Sequence, residues 1–209
     1  MAPRVEVADP VLEANLAGRK RDHGRGGHCK QATSGKVAYV ALKFATVNAT
    51  AWSTAIVFLA GTDANVILLQ EHKLMPAEIP DATQWTEDND WLAVWEPARP
   101  GPNGGPSGGT AILVRRGIGL SKIPLSVATA GRAVAAQVEC PGYPKLAVVS
   151  AYFHTGVAFV GANLQLLDYL KGWIIADGRP GLLGGDFQNH PSALEATDFP
   201  RAINGTIFS

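Results

Sequence analysis

Two short apolar runs, far apart in the chain, each end in a carboxylate. The first is Val66-Ile67-Leu68-Leu69-Gln70-Glu71. The second is Leu182-Leu183-Gly184-Gly185-Asp186, followed by Phe187-Gln188-Asn189-His190. Apolar runs of this length, bounded by polar residues or glycine, read as buried strands. An acid at the point where a buried strand emerges sits on a rigid element at the rim of the core, where chemistry is done in an α/β fold. Glu71 and Asp186 are therefore the pair around which a functional site is expected. Their natural partner is a hard divalent cation, magnesium or manganese, which takes oxygen ligands.

The chain has 209 residues, 46% apolar and 17% charged, enough for one domain with a sizeable core. No apolar run is long enough to cross a bilayer, and Met1-Ala2-Pro3-Arg4 leads into Val5-Glu6-Val7-Ala8-Asp9 rather than an apolar segment of signal-peptide type. No membrane partner is expected, and an intracellular location, nuclear or cytoplasmic, fits. The two cysteines, Cys29 and Cys140, make no CxxC or Cys/His ligand spacing. Zinc and a disulfide framework are both disfavoured, and a reducing compartment fits. A monomer is the default.

The net charge of zero hides an asymmetry: residues 1–43 hold eight Lys/Arg against four Asp/Glu, and residues 44–209 hold ten against fourteen. The excess lies in Arg19-Lys20-Arg21-Asp22-His23-Gly24-Arg25-Gly26-Gly27-His28-Cys29-Lys30. A stretch with so little to bury is expected to be a disordered basic arm, residues 1–35, able to touch phosphates or serve nuclear import. A solvated leader without a binding role is the plainer reading. The folded domain is expected over residues 36–209.

Along that domain, residues 37–47 read as a strand, 49–61 as a helix stopped by Gly61, and 65–70 as a second strand. Residues 76–86 read as a loop or short helix, and 91–95 as a strand with Leu92 and Val94 opposite Trp91, Ala93 and Trp95. Residues 97–109 hold four Pro and five Gly and read as a structureless surface loop. Strands follow over 110–115, 118–127, 132–139 and 145–152. Residues 160–176 carry Leu164, Leu167, Leu170, Ile174 and Ile175 at helical spacing, and Leu182-Leu183 leads into the Asp186 motif. Several strands are joined by turns rather than crossover helices. That favours an α/β fold of two mixed sheets packed face to face with helices outside, rather than a doubly wound parallel sheet.

Five motifs in order are similar to those of the endonuclease/exonuclease/phosphatase superfamily. They are Thr46-Val47-Asn48, Leu68-Leu69-Gln70-Glu71, Ser107-Gly108-Gly109-Thr110-Ala111-Ile112-Leu113, Val149-Ser150-Ala151-Tyr152 and Gly184-Gly185-Asp186-Phe187. Together they span roughly residues 43–198. The tract around Gly108-Gly109 most resembles the endonucleases of non-LTR retrotransposons, relatives of exonuclease III. The resemblance implies a four-layer α/β sandwich with one site at the sheet ends and magnesium-assisted phosphoester hydrolysis. It also implies DNA as partner. It makes Glu71 the metal ligand, supported by Asn48, Tyr152 a phosphate contact and Asp186 the group that polarises water. Gln188 stands where the family has Asn, so its amide is retained on a longer stem. From its position alone, two residues beyond Tyr152 and on the same strand face if the strand continues, His154 is a candidate substrate contact, beside the plainer reading of a structural histidine. The family's last strand carries a Ser-Asp-His triplet, and this chain reaches Ser209 without one. The sequence therefore reads as lacking the last strands and their His, with weak magnesium binding and poor or no hydrolysis expected.

Chemistry independent of the resemblance points the same way. One or two carboxylates suffice for magnesium, which keeps waters and helps activate them. Neutral amides and a phenol can donate to phosphate oxygens. Duller readings stand beside these: Glu71 as a solvated strand-end acid, Asp186 as a turn residue, Asn48 as the N-cap of the next helix, and Tyr152 as a core aromatic. His72 is expected to point away from Glu71, and His190 to lie in a loop near the site. Trp85, Trp91 and Trp95 fit core packing better than base stacking. Two rival functions remain: a phosphatase or phosphodiesterase of the same fold acting on lipid, inositol or RNA, and a non-catalytic remnant.

Overall fold

The computed structural model describes residues 41–102 and 104–207, together with the backbone of Val5–Glu6. The rest of the basic arm and the expected strand start at 37–40 lie outside the described residues. Within the arm, Val5–Glu6 form a short strand, β1, paired antiparallel to Val47 and Thr46.

The strands alternate sides as a half-buried pleat requires. In β3 (Val66–Gln70), Ile67 and Leu69 face one core cluster while Val66 and Leu68 face another. In β7 (Thr110–Arg115), Ala111 and Leu113 join the first cluster, Ile112 and Val114 the second. Trp91 and Trp95 of β4 (Trp91–Glu96) pack in the first, and Leu92 and Val94 lie against the second. With β2 (Phe44–Asn48) these strands make a five-stranded mixed sheet in the order β1-β2-β3-β7-β4. The second sheet has the order β11-β10-β9-β8, from β8 (Gly119–Ile123), β9 (Ala133–Glu139), β10 (Leu146–Tyr152) and β11 (Gly181–Asp186). Val134, Ala136, Val138 and Val148 meet the first sheet, while Ala133, Ala135, Val149 and Ala151 pack outward.

Helices cover both outer faces. Ala55 and Leu59 of α1 (Trp52–Gly61) and Ala82 of α2 (Ile79–Asp88) sit in the first sheet's outer cluster. Leu166, Leu167 and Leu170 of α3 (Gly161–Asp177), Leu194 of α4 (Pro191–Glu195) and Phe199 of α5 (Phe199–Ala202) cover the second. The result is the four-layer α/β sandwich, helix–sheet–sheet–helix.

Some expectations shift. The strand expected from residue 37 has no regular structure at 41–43, because Lys43 is tied to the turn before β3. Its N–H donates to Asn65 Oδ1 at 2.9 Å, and its carbonyl accepts from Asn65 and Val66 at 2.8 and 3.0 Å. The helix expected at 49–61 starts at Trp52, with Ala51 as its N-cap. Asn48 does not cap it; its Oδ1 accepts from Thr50 N–H at 3.1 Å, one turn earlier. The strand expected over 118–127 ends at Ile123 and gives way to a 3-10 turn at Val127–Thr129. Part of the 97–109 loop is a small hairpin, β5 (Arg99–Pro100) with β6 (Pro106–Ser107), closed by Gly101 N–H donating to the Gly105 carbonyl at 2.7 Å. Two-residue edge strands tolerate the prolines that a longer ladder excludes.

Two parallel pairs position the functional edge. β2 and β3 are joined through α1, and β10 and β11 through α3. Such crossover units place the carboxyl ends of both strands at the same edge. Asn48 pairs in register with Gln70, and Tyr152 with Asp186.

Beneath that edge, polar side chains fasten the sheets together. Gln70 Nε2 donates to Ser150 Oγ at 2.9 Å across the core and to the Leu68 carbonyl at 2.9 Å. Ser150 Oγ donates to the Leu69 carbonyl at 3.0 Å, and Thr46 Oγ1 to Gln70 Oε1 at 3.2 Å. Gln70 and Ser150 are 1% and 0% exposed, so no water replaces a lost partner. Gly184 lets the sheets close: a Cβ there would lie 2.9 Å from Leu68 Cδ2.

Two outcomes follow from this packing. Gln70→Ala leaves the buried Ser150 hydroxyl without its donor and opens a void, at a cost of about 2–4 kcal/mol. Urea denaturation of Gln70→Ala, Ser150→Ala and the double variant should show the double falling short of the summed singles by at least about 0.5 kcal/mol; strict additivity would refute the coupling. The second concerns His72, 1% exposed. Burial drives its pKa down to about 4, partly offset by the backbone of Thr110 and Glu96. The unfolded chain therefore takes up this proton first as pH falls. The stability is present above about pH 6.5 and declines toward pH 4, by about 3 kcal/mol in full. Denaturation midpoints across pH 4–7 should show this slope, flattened in His72→Gln.

Candidate active site

Asp186 ends β11, and its carboxylate is held from three directions. Asn48 Nδ2 donates to Oδ2 at 2.5 Å from the other sheet. Gln188 Nε2 donates to the same oxygen at 2.5 Å, and Gln188 N–H donates to Oδ1 at 3.0 Å. Asp186 thus does bond a backbone amide nearby, as the turn reading has it, but it also bridges the two sheets. Its main-chain carbonyl accepts from Phe153 N–H at 3.0 Å, which carries the parallel pairing past the strand end. A carboxylate bonded by three amide N–H groups is fixed in its orientation.

Gln188 reaches this position because its backbone is left-handed, with φ 55°. That conformation costs a non-glycine residue about 1–2 kcal/mol and suits Asn better than Gln. The longer stem folds back on Asp186 all the same. Asn189 turns away, its Nδ2 donating to the Phe187 carbonyl at 2.9 Å.

Glu71 follows the last residue of β3 and is also left-handed, φ 59°, as is Lys73, φ 59°. The turn is gripped from the Gly108-Gly109 segment: His72 N–H donates to the Gly109 carbonyl at 3.4 Å and Lys73 N–H to that of Gly108 at 3.1 Å. Gly109, φ 86°, lies flat on the His72 ring, where a Cβ would come within 2.6 Å. Gly109 N–H in turn donates to the Gly131 carbonyl at 2.9 Å. One pair of glycines therefore joins the Glu71 turn to the segment before β9. The Glu71 side chain, 19% exposed, has Lys73 Nζ at 3.4 Å.

Tyr152 ends β10 in register with Asp186 and is 6% exposed. Burial pushes its hydroxyl above the usual phenol value. The negative charges of Glu71 and Asp186 act in the same direction, against Thr155 and Arg132. Both carboxylates thus lie within electrostatic reach of this phenol, which remains a neutral donor. Arg132 sits over the Tyr152 ring, its Cζ 4.9 Å from the centroid, and its Nη2 donates to Ser107 Oγ at 3.2 Å. Burial depresses the guanidinium, and Tyr152 and Glu71 oppose that shift.

The structure therefore brings Asn48, Asp186 and Gln188 into one hydrogen-bonded group, with Tyr152 in register beside Asp186 and Glu71 within electrostatic reach of the phenol. The hydrogen bonds of His154 run from its backbone to the Asn163 side chain and not to that group. Its imidazole is held below the ordinary value by burial and by the Arg132 charge. His72 points into the core against Trp95, at 5.4 Å between centroids. His190 is the N-cap of α4, its Nδ1 accepting from Ser192 N–H at 3.3 Å. Trp91 and Trp95 are buried, and Trp52 meets both Trp85 and Trp95 edge-on. Arg132 and Lys73 were not anticipated. The signal for Arg132 was a Gly-Arg pair opening an otherwise apolar strand.

Among the described residues no group of three or more His, Cys, Asp and Glu converges as a metal cage. Magnesium does not require one: a carboxylate or two, with water and substrate oxygens, completes its shell. The donors present are all oxygens, and of the two carboxylates only Asp186 has its oxygens occupied by amide donors. The set fits a hard cation at Glu71.

Comparison with known proteins bears on the fold. The chain is similar to the endonuclease domain of TRAS1, a telomere-specific non-LTR retrotransposon, at 15% identity over 71% of this chain and 60% of that one, with a TM-score of 0.47. It is similar to the AP endonuclease LMAP from Leishmania major at 15% identity over 69% and 54%, TM-score 0.51. It is also similar to ANGEL2, a 2',3'-cyclic phosphatase, at 15% identity over 66% and 43%, TM-score 0.50. The chain thus spans well under two thirds of each of these structures. No curated protein matches it in sequence. The sequence profile described as the endonuclease/exonuclease/phosphatase family matches residues 38–203, most of the folded domain just described, and the chain belongs to that family.

Proposed function

We propose that this protein hydrolyses phosphodiester bonds in DNA, as a nicking endonuclease of retroelement type assisted by magnesium or manganese. The observation that carries the reading is the Asp186 carboxylate, fixed between Asn48 and Gln188 at the junction of the two sheets. Three left-handed non-glycine residues at this rim, Glu71, Lys73 and Gln188, add to it, because backbone strain of this kind gathers at functional sites.

Glu71 would hold the cation, which supplies charge neutralisation at phosphate and a more acidic bound water. Asp186 orients a water and takes its proton at Oδ1 or Oδ2; the amides of Asn48 and Gln188 keep that oxygen aimed. Tyr152, protonated because its pKa is raised, donates to a phosphate oxygen. Arg132 brings positive charge to the same rim. The basic stretch over residues 19–30 offers sequence-independent phosphate contacts.

The test is nicking of supercoiled plasmid by the purified protein, run beside a panel of phosphomonoesters, inositol phosphates and RNA. Slow magnesium-dependent nicking is expected. Asp186→Asn should lower the rate by about 10²–10⁴-fold, and Glu71→Gln should move the magnesium dependence to higher concentration. Preference for a phosphomonoester would overturn the DNA assignment, and full activity of Asp186→Asn would overturn the site. Tyr152→Phe should cost about 10–100-fold, the worth of one hydrogen bond to a charged oxygen. Because the phenol titrates above its usual value, no alkaline loss of rate from this group is expected below about pH 10; a wild-type alkaline limb near pH 8, absent in Tyr152→Phe, would contradict it.

A further inference from the structure

A small cavity of about 120 Å³ opens between the 3-10 turn at Val127–Thr129, the segment after β10 and α3. Arg132, His154, Gln165, Leu166 and Tyr169 line it, with Ala128 at one side. It is contiguous with the rim, because Arg132 belongs to both: its guanidinium lies over the Tyr152 ring, and the residue is part of the cavity lining.

Both walls are fastened to α3. The Asn163 side chain, fully buried, accepts from His154 N–H at 2.7 Å and donates to the carbonyls of His154 at 3.0 Å and Val157 at 2.8 Å. The Tyr169 hydroxyl accepts from Ser126 N–H at 2.7 Å. The cavity is therefore preformed, and binding into it requires little ordering of the chain.

Its size and lining restrict the occupant. The volume equals that of about four waters in the liquid, well below the roughly 300–1,000 Å³ typical of drug-sized ligands. It suits one ring. Ala128 and Leu166 give apolar contact, whereas the His154 imidazole, the Gln165 amide and the Arg132 guanidinium offer both donors and acceptors. The imidazole, held below its ordinary pKa, is neutral at pH 7 and so has one nitrogen of each kind. A second phosphate would call for more cations than the single guanidinium here. A planar ring with a mixed hydrogen-bonding edge uses every group present.

We propose that this cavity is a nucleobase subsite, which takes the base next to the cleaved phosphodiester and is filled best by a pyrimidine. The assignment of the base to a position beside the cleaved bond rests on the phosphodiesterase reading; the binding of a base does not.

The test therefore uses a ligand without phosphate. Uridine and adenosine are titrated into the full chain by NMR, with inorganic phosphate as a third ligand. Gln165 is exposed on α3, so Gln165→Ala tests the cavity without threatening the fold, and His154→Ala is its companion. Uridine is expected to bind more tightly than adenosine, and each variant to weaken uridine at least tenfold without altering phosphate affinity. Equal uridine affinity in wild type and both variants would overturn the subsite. Uridine binding that survives in a protein showing no magnesium-dependent nicking would support the subsite while removing the phosphodiesterase reading. Nicking without any uridine binding would do the reverse.

Discussion

The arrangement of this protein depends on a hydrogen bond between two side chains that never see solvent. Gln70 belongs to one sheet and Ser150 to the other, and their contact fixes how far and at what slide the sheets pack. Apolar packing alone is forgiving of small slides between two flat faces, since it is non-directional. A buried amide that must satisfy a hydroxyl and two further groups is not forgiving. Gln70 immediately precedes Glu71, and Ser150 lies one pleat before Tyr152. The fastening is thus transmitted over one or two residues to the groups at the rim, and the Asn48–Asp186 contact closes the same joint from above.

The electrostatics of the rim arise from unequal treatment of its two acids. Asp186 is surrounded by neutral amide donors that hold it still. Glu71 is mostly covered and has the Lys73 ammonium at 3.4 Å. Tyr152 feels both acids and Arg132, and remains protonated among them. The rim thus holds one acid bonded by amides, one acid beside a lysine, and a phenol that feels both.

Much of this was legible in the sequence, for identifiable reasons. The runs around Val66–Gln70 and Gly181–Asp186 announce strands, and the acid at the end of each is conspicuous; the first is buried throughout as its composition suggests, whereas the second lies at the edge of its sheet and is only partly covered. The alternation of Leu92 and Val94 against Trp91 and Trp95 reads directly as two faces. Other features depend on partners remote in the chain. Gln70 reads as an ordinary strand-end amide until Ser150, 80 residues later, is placed against it. Arg132 reads as a strand start until Tyr152 appears beneath it. The hairpin within 97–109 was hidden because Gly and Pro mark irregularity without saying how the chain returns on itself. Asn48 was a plausible helix cap, but the helix begins at Trp52, with Ala51 as its cap, and the amide turns to Asp186 instead.

The left-handed backbone at Glu71, Lys73 and Gln188 sets a direction for laboratory evolution of this protein. Glycine relaxes such positions, so a screen that rewards heat resistance alone will be drawn to them. Each gain there removes a side chain from the rim. Selection for thermostability and selection for turnover will therefore pull against each other at these three codons, while the helices outside the sandwich remain free to improve without conflict.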